Sequence, residues 1–308
     1  MNLDLDDDQV ALRDGISALL DGRFGTDRVR AGYDRAMHDE LAEAGVFSLL
    51  ADGFTYADAV VVFEQLGEFV VPGPLVATFL AAGLDGFDGT STAVPISHVE
   101  PGASSHVYVE HPDVIERVLV IADSGASMVE RAALQGSPVT WPLDPLTPLL
   151  RVDTLPAGAP STDAEVTQLR LRGAVLTAAY AVGMASRLTE LSVAYAKERQ
   201  QFDRIIGSFQ AIKHLLADMA VRTEVARAAV YAAGAALAEP GSEDVARAAS
   251  VAKVVAGEAA IVNGKTATQV HGGMGFTWEV DVHLYLKRAW LLDTHFGSTE
   301  HHCVALSR

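Results

Sequence analysis

The chain has 308 residues, 49% of them hydrophobic, which is material for a large buried core in one to three domains. Its 23 Lys and Arg stand against 40 Asp and Glu, a net charge of −17. This balance argues against nucleic acid or an anionic membrane as a partner bound through a general basic field, and any anionic ligand must be held by local cations. The single cysteine, Cys303, excludes an intramolecular disulfide and a cysteine metal cage.

The acidic N-terminus is opposite in charge to a signal peptide and no 18-residue apolar window occurs, so the expectation is a soluble, cytoplasmic protein. Residues 8–20 place Val10, Leu12, Ile16, Leu19 and Leu20 on one helical face behind acidic residues. A second helix at residues 38–44 stops at Gly45, and a third at residues 56–67 carries Val60, Val61, Phe63 and Leu66. Val71-Pro72-Gly73-Pro74 forms a stiff elbow before a fourth. Residues 1–85 therefore read as an N-terminal α-helical domain. Short β-favouring runs follow at residues 105–109, 118–122 and 128–131, then four prolines between 138 and 148. Residues 86–160 read as a reduced middle β domain, ending in a linker at 155–160. Helix signals return at Ser161-Thr162-Asp163, with Glu165 after them. One helix runs to about Arg199, others span residues 208–237, 242–269 and 280–293, and together they predict a C-terminal four-helix bundle over 161–308. The alanine-rich residues 226–238 suit a buried, closely packed face. The expected fold class is mainly α with a small β domain.

Three stretches carry chemistry. Residues 269–276 read Gln-Val-His-Gly-Gly-Met-Gly-Phe, where glycines stop a helix and leave backbone amides exposed beside the Gln269 carboxamide. Such a corner suits a phosphate, an adenine edge or a neighbouring subunit. Lys197-Glu-Arg-Gln-Gln-Phe202 closes the first bundle helix and is followed by Gly207-Ser-Phe-Gln-Ala211. The third stretch is Asp281-Val-His-Leu-Tyr-Leu-Lys-Arg-Ala289. Plainer readings stand beside these. Arg199 can satisfy the last carbonyls of its own helix, and His271 reads as a polar loop residue that matters through its backbone. Lys287-Arg288 reads as a solvated helix face that could also neutralise a ligand phosphate. His295, His301 and His302, with Glu300, read as surface residues without a metal-ligand pattern, and Trp141 and Trp278 as packing.

In order and spacing the chain resembles the acyl-CoA dehydrogenase family over nearly its whole length. That family carries Arg-x-x-Phe-Gly, then Phe/His-Gln, then Gln-x-x-Gly-Gly-x-Gly in its C-terminal helical domain, matched here by Arg199 to Phe202, Phe209-Gln210, and residues 269–275. The resemblance implies FAD bound across a subunit boundary, with Arg199, Phe202, Phe209, Gln210, Gln269, Val270, His271, Gly272 and Gly273 as cofactor-binding candidates. A guanidinium matches phosphate oxygens bidentately, which agrees with this role. Asp203 departs from the family's glycine, so either the loop turns its carboxylate outward or pyrophosphate binding is weaker.

The resemblance also marks absences. The family removes the α-proton of an acyl-CoA thioester with a glutamate, either just before a Gly-Thr near the C-terminus or in the first bundle helix. The matching positions hold Phe296 and, by counting back from Arg199, Gly173 or a near neighbour, so no usual catalytic glutamate is present. The middle domain lacks the family's flavin-cradling segments; Val99-Glu-Pro-Gly-Ala-Ser-Ser105 is an eroded remnant. The pattern resembles the short non-catalytic α-subunits of actinobacterial α2β2 steroid acyl-CoA dehydrogenases. It implies a catalytic paralogue as partner, a steroid-derived acyl-CoA bound mainly by that partner, and a redox protein as electron acceptor. The alternatives are a self-sufficient homo-oligomeric enzyme with Asp293 or His295 as base, and a flavin-free structural subunit.

Overall fold

The computed structural model describes residues 4–84, 95–101, 106–160, 165–239, 241 and 244–308. Ser161-Thr162-Asp163, Gly86 and most of the stretch after Pro101 lie outside the described residues, so the caps and the remnant loop expected there are not placed. Five helices come first: α1 (Asp7–Arg23), α2 (Thr26–Arg30), α3 (Arg35–Glu43), α4 (Tyr56–Glu68) and α5 (Leu75–Ala82). Asp6 and Gln9 close a reciprocal cap on α1, and Thr55 with Asp58 does the same for α4. The short α2 was not anticipated, because five residues carry less than two turns of periodicity.

Seven strands follow: β1 (Ile96–Val99), β2 (Val107–Glu110), β3 (Arg117–Ala122), β4 (Gly125–Glu130), β5 (Ser137–Pro138), β6 (Leu149–Val152) and β7 (Ala159–Pro160). They form one sheet in the order β1-β3-β4-β7 and a second in the order β2-β6-β5. Strand β3 is buried on both sides, which is why its sequence is a continuous apolar run. Val118 and Val120 join a small core with Val109, Leu150 and Val152 of the second sheet. Leu119 and Ile121 point the other way, into a large core that runs through the helices. The expected linker is partly structured, since β7 pairs with β4.

The remaining elements are helical apart from one hairpin: α6 (Val166–Glu198), β8 (Gln200–Gln201), β9 (Arg204–Ile205), α7 (Gln210–Ala238), α8 (Val245–His271), α9 (Val282–Asp293) and α10 (Thr299–Leu306). Ala226, Ala233 and Ala236 of α7 are buried, as the alanine pattern requires. Helices α4 and α6 cross almost backbone to backbone. A Cβ on Gly183 would lie 1.8 Å from the Glu64 carbonyl oxygen, and one on Gly67 2.0 Å from that of Tyr180. Only glycine fits this crossing, which ties the first helices to the bundle. Helix α10 was not foreseen; Ser298 caps it by accepting from the His301 amide at 3.2 Å.

Candidate functional site

Two regions hold the residues singled out by sequence. The first is a corner built from the end of α6, the β8–β9 hairpin, the start of α7 and the end of α8. Ala196, Ile206 and Val270 form its small apolar floor, with Tyr195, Phe209 and Ile212 packed against them. The Ile206 amide donates to the Arg199 carbonyl at 2.8 Å and closes the hairpin. Phe202 and Asp203 occupy its two-residue turn with φ of 54° and 59°. Two left-handed residues match the twist of a tight hairpin, and aspartate tolerates that region better than most residues. This is how Asp203 stands where the family has glycine: it supplies the turn and is exposed. Phe202 takes the same strained geometry and is 85% exposed.

Arg199, Gln210, Gln269, Gly272 and Gly273 are exposed around this floor. The Arg204 guanidinium lies over the Phe209 ring at 4.0 Å, and Phe202 meets the same ring edge-on at 6.2 Å. No hydrogen bond runs from the Arg199 side chain to a carbonyl of α6 among the described residues, so the helix-capping reading of this arginine is not what the structure adopts. Gly272 ends α8 with φ of 62°, as the glycine corner predicts, and its amide donates to the Gln269 carbonyl. The following residues, Gly272–Phe276, wind into a 3-10 turn. A Cβ on Gly272 or Gly273 would meet no atom within 4 Å, so the backbone there is open to a ligand. His271 is a correction. Its ring is buried, stacked on Tyr195 at 4.2 Å, with Nδ1–H donating to the Ala267 carbonyl at 2.8 Å. Burial lowers its pKa, so the imidazole is a neutral packing element of α8.

The second region surrounds Phe296. A Cβ on Gly173 would lie 2.3 Å from Phe296 Cδ1, so the two positions that the resemblance matches to the family's glutamate touch each other. The Phe296 ring is buried and stacks on His98 at 4.1 Å, nearly parallel. Its carbonyl accepts from His302 Nε2–H at 2.9 Å, while His302 Nδ1 accepts from Ser250 at 3.1 Å. Lys253, fully buried, donates to the Leu292 and Asp293 carbonyls at 3.1 and 3.2 Å and caps the C-terminus of α9. Burial lowers its pKa to about 8.

Both substitute bases are already engaged. The Asp293 carboxylate accepts from the Thr299 amide at 3.2 Å and from its hydroxyl at 2.5 Å, fixing the start of α10. His295 Nε2 lies 2.7 Å from Glu110. Burial alone would raise the Glu110 carboxyl, but His295, then His111 and His98, hold it at about 2. His98 is pushed down to about 3 by burial and by His295. Glu110 and His98 gave no sequence signal, because their partners sit on a distant part of the chain. Of the histidine cluster, His301 is exposed as expected while His295 and His302 are turned inward, and among the described residues no three His, Cys, Asp or Glu side chains converge as a metal site.

Behind His295 lies a cavity of about 30 Å³ lined by His98, Glu110, Thr177, Tyr180 and Arg288. It has room for water-sized molecules, against roughly 300–1,000 Å³ for a ligand pocket. Arg288 is a second correction: it is buried, its Nε donates to Asp144, and Nη1 reaches the Tyr180 hydroxyl at 3.3 Å. Lys287 stays half-exposed over the Trp278 ring at 5.7 Å. Trp278 and Trp141 are themselves exposed rather than packed in the core. On the other side of Phe296 a cleft of about 510 Å³ is lined by Glu100, Asp123 and Arg170. Arg170 is held between the two carboxylates, at 3.0 Å from Glu100 and 2.9 Å from Asp123.

Comparison with known proteins gives a consistent picture. Residues 167–308 match the C-terminal domain of acyl-CoA dehydrogenases. The acyl-CoA dehydrogenase IpdE2 of Mycolicibacterium smegmatis is 33% identical over 302 residues, covering 92% of this chain and 93% of that protein. The ChsE4-ChsE5 complex from Mycobacterium tuberculosis contains a chain that superposes with a TM-score of 0.81 at 21% identity, covering 100% of this chain and 98% of that one. The Tcur3481-Tcur3483 steroid acyl-CoA dehydrogenase, as a G363A variant, gives 0.81 at 22% identity, covering 98% of this chain and 97% of that one. Identity across almost the full length of a curated relative, together with this fold, establishes that the chain belongs to the acyl-CoA dehydrogenase family.

Proposed function

We propose that this chain is a subunit of an FAD-dependent acyl-CoA dehydrogenase that α,β-desaturates a steroid-derived acyl-CoA, and that it completes the flavin site of a catalytic paralogue in an α2β2 heterotetramer. The carrying observation is the contact between Gly173 and Phe296: both positions where the family carries its glutamate are apolar and fill each other's space. The two ionisable groups just before Phe296, Asp293 and His295, are both engaged elsewhere.

The outward corner fits the other half of the task. Arg199 carries a positive charge beside open backbone at Gly272 and Gly273, a donor set suited to a pyrophosphate. Phe202, Phe209, Gln210 and Gln269 would orient the adenosine side, while Val270 and His271 hold the floor. FAD, when bound, supplies the two-electron acceptor for the β-hydride. This chain's own residues bind and orient it for a partner whose base removes the α-proton. Steroid substrate and paired-subunit assembly are supported by the family resemblance and by what the similar complexes are called. The same reading keeps the division into residues 1–85, 86–160 and 161–308, a cytoplasmic setting and a redox protein as electron acceptor. No helix of the described residues is long and apolar enough to cross a membrane.

The test is purification of the chain alone and with an acyl-CoA dehydrogenase encoded beside it, reading flavin per protomer and assembly mass. One flavin per heterodimer, falling more than about tenfold on Arg199→Ala, is the expected result. Stoichiometric flavin and turnover on the lone chain would overturn it. A second reading, His295 as base backed by Glu110, draws on their 2.7 Å pair. The cavity they face is too small for a thioester, which ranks this reading below the first.

A further inference from the structure

A cleft of about 480 Å³ lies between α1, α4 and α7, away from both regions described above. Its wall includes Arg13, Gln65, Glu68, Glu224, Arg227 and Tyr231. The cations in this wall are already used. Arg227 Nε donates to Glu64 at 2.8 Å and its Nη1 donates to Glu224, while Arg13 pairs with Asp14 at 2.8 Å. The Tyr231 hydroxyl also donates to Glu64, at 2.8 Å.

Two groups in the wall remain unpaired. The Gln65 side chain is 6% exposed and its carboxamide has no hydrogen-bond partner among the described residues. Its carboxamide is not among the sealed polar atoms, so it stands open to the cleft as an available acceptor and donor. The Glu68 carboxylate likewise has no hydrogen bond or ion pair among the described residues; its backbone carbonyl alone is used, accepting from the Tyr285 hydroxyl of α9 at 2.7 Å. Glu68 faces Glu64 on its own helix, Arg187 and Glu190 on α6, Arg227, Glu224 and Tyr231 on α7, Arg13 on α1, and across the cleft Asp4, which has a partner of its own. Burial, then Glu64 and Glu190, push it up to about 7, against the weaker opposing pull of Arg227 and Arg187. The side that lacks charge compensation is thus the carboxylate side.

We propose that this cleft binds a small organic cation carrying an ammonium or guanidinium group, with Glu68 as counter-ion and the Gln65 carbonyl as second acceptor. A metal ion does not suit it, because no three carboxylate or imidazole side chains converge there or elsewhere among the described residues. The volume suits a ligand of drug-fragment size.

The probe is agmatine, which carries both cationic groups, titrated calorimetrically into the full chain. Saturable 1:1 binding at pH 8 is expected. Affinity should fall by up to about tenfold per pH unit below pH 7, because the cation must then displace the Glu68 proton. Glu68→Gln should weaken binding at least about tenfold and Gln65→Leu about threefold. Thermal unfolding of both variants checks that they fold. Absence of saturable binding at about 10 mM agmatine, or an affinity unchanged in a folded Glu68→Gln protein, would overturn the proposal.

Discussion

The corner around Arg199 and the neighbourhood of Phe296 share helices α6 and α8 yet are built on opposite principles. At the corner, a strained hairpin and a left-handed glycine push polar groups and one aromatic ring outward over a floor of three buried side chains. Around Phe296, a ring, a glycine and a histidine stack close together, and Asp293 and His295 are held by Thr299 and Glu110. The first arrangement spends stability to keep groups available to something outside the chain. The second does the reverse, and the contrast separates an open, outward corner from a filled interior.

The contrast can be broken by measurement. Phe296→Ala should cost most, about 3–5 kcal/mol in urea unfolding, since the ring is buried between Gly173 and His98. A loss under about 1 kcal/mol would mean that the space is not filled as described. Acidification comes next. His98 and His111 are held at about 3 and about 4, in each case by burial first. Their folded pKa values lie below the unfolded value near 6.5, so between those limits the unfolded chain takes up protons that the folded chain refuses. The stability they contribute is complete above pH 6.5 and declines as pH falls, by about 2–4 kcal/mol at pH 5. A Tm that is flat from pH 7 to pH 5 would contradict their burial.

Gly173→Ala should destabilise by about 1–3 kcal/mol despite the better helix propensity of alanine, because its methyl meets the Phe296 ring. The double variant with Phe296→Ala should be milder than the sum by at least about 1 kcal/mol, and simple additivity would show that the two positions do not touch. Smallest of all is Arg199→Ala, expected to change stability by less than about 0.5 kcal/mol while flavin retention in the complex collapses. A large stability loss there would make Arg199 a structural residue and remove the contrast.

Much of the architecture was legible in the chain. Helices α1, α4, α6, α7, α8 and α9 follow from apolar spacing and end signals, and β3 and β4 from β-branched runs bounded by Gly and Asp. The motif residues of the corner were found because each is a local pattern. The unread elements were short: α2 and α10 have too few turns for a period to register, and β7 is two residues whose pairing with β4 is a tertiary event. The errors had one cause. Polarity alone reads Arg288, His295 and His302 as surface residues and His271 as a loop residue, whereas each is turned inward by a partner contributed by another element or an earlier turn: Asp144, Glu110, Ser250 and Ala267.

By itself, the sequence determined the mainly helical class with a small β region, the order of its elements, the glycine stop at Gly272 and the family resemblance, because these rest on periodicity and on motifs read within a few residues. Only the tertiary structure decided that Gly173 and Phe296 occupy one space, that Asp203 serves as a turn residue, that Glu110 takes His295 out of use, and that Gln65 and Glu68 face a cleft without partners. Burial and pairing are properties of what the chain brings together across long separations, and no local pattern records them.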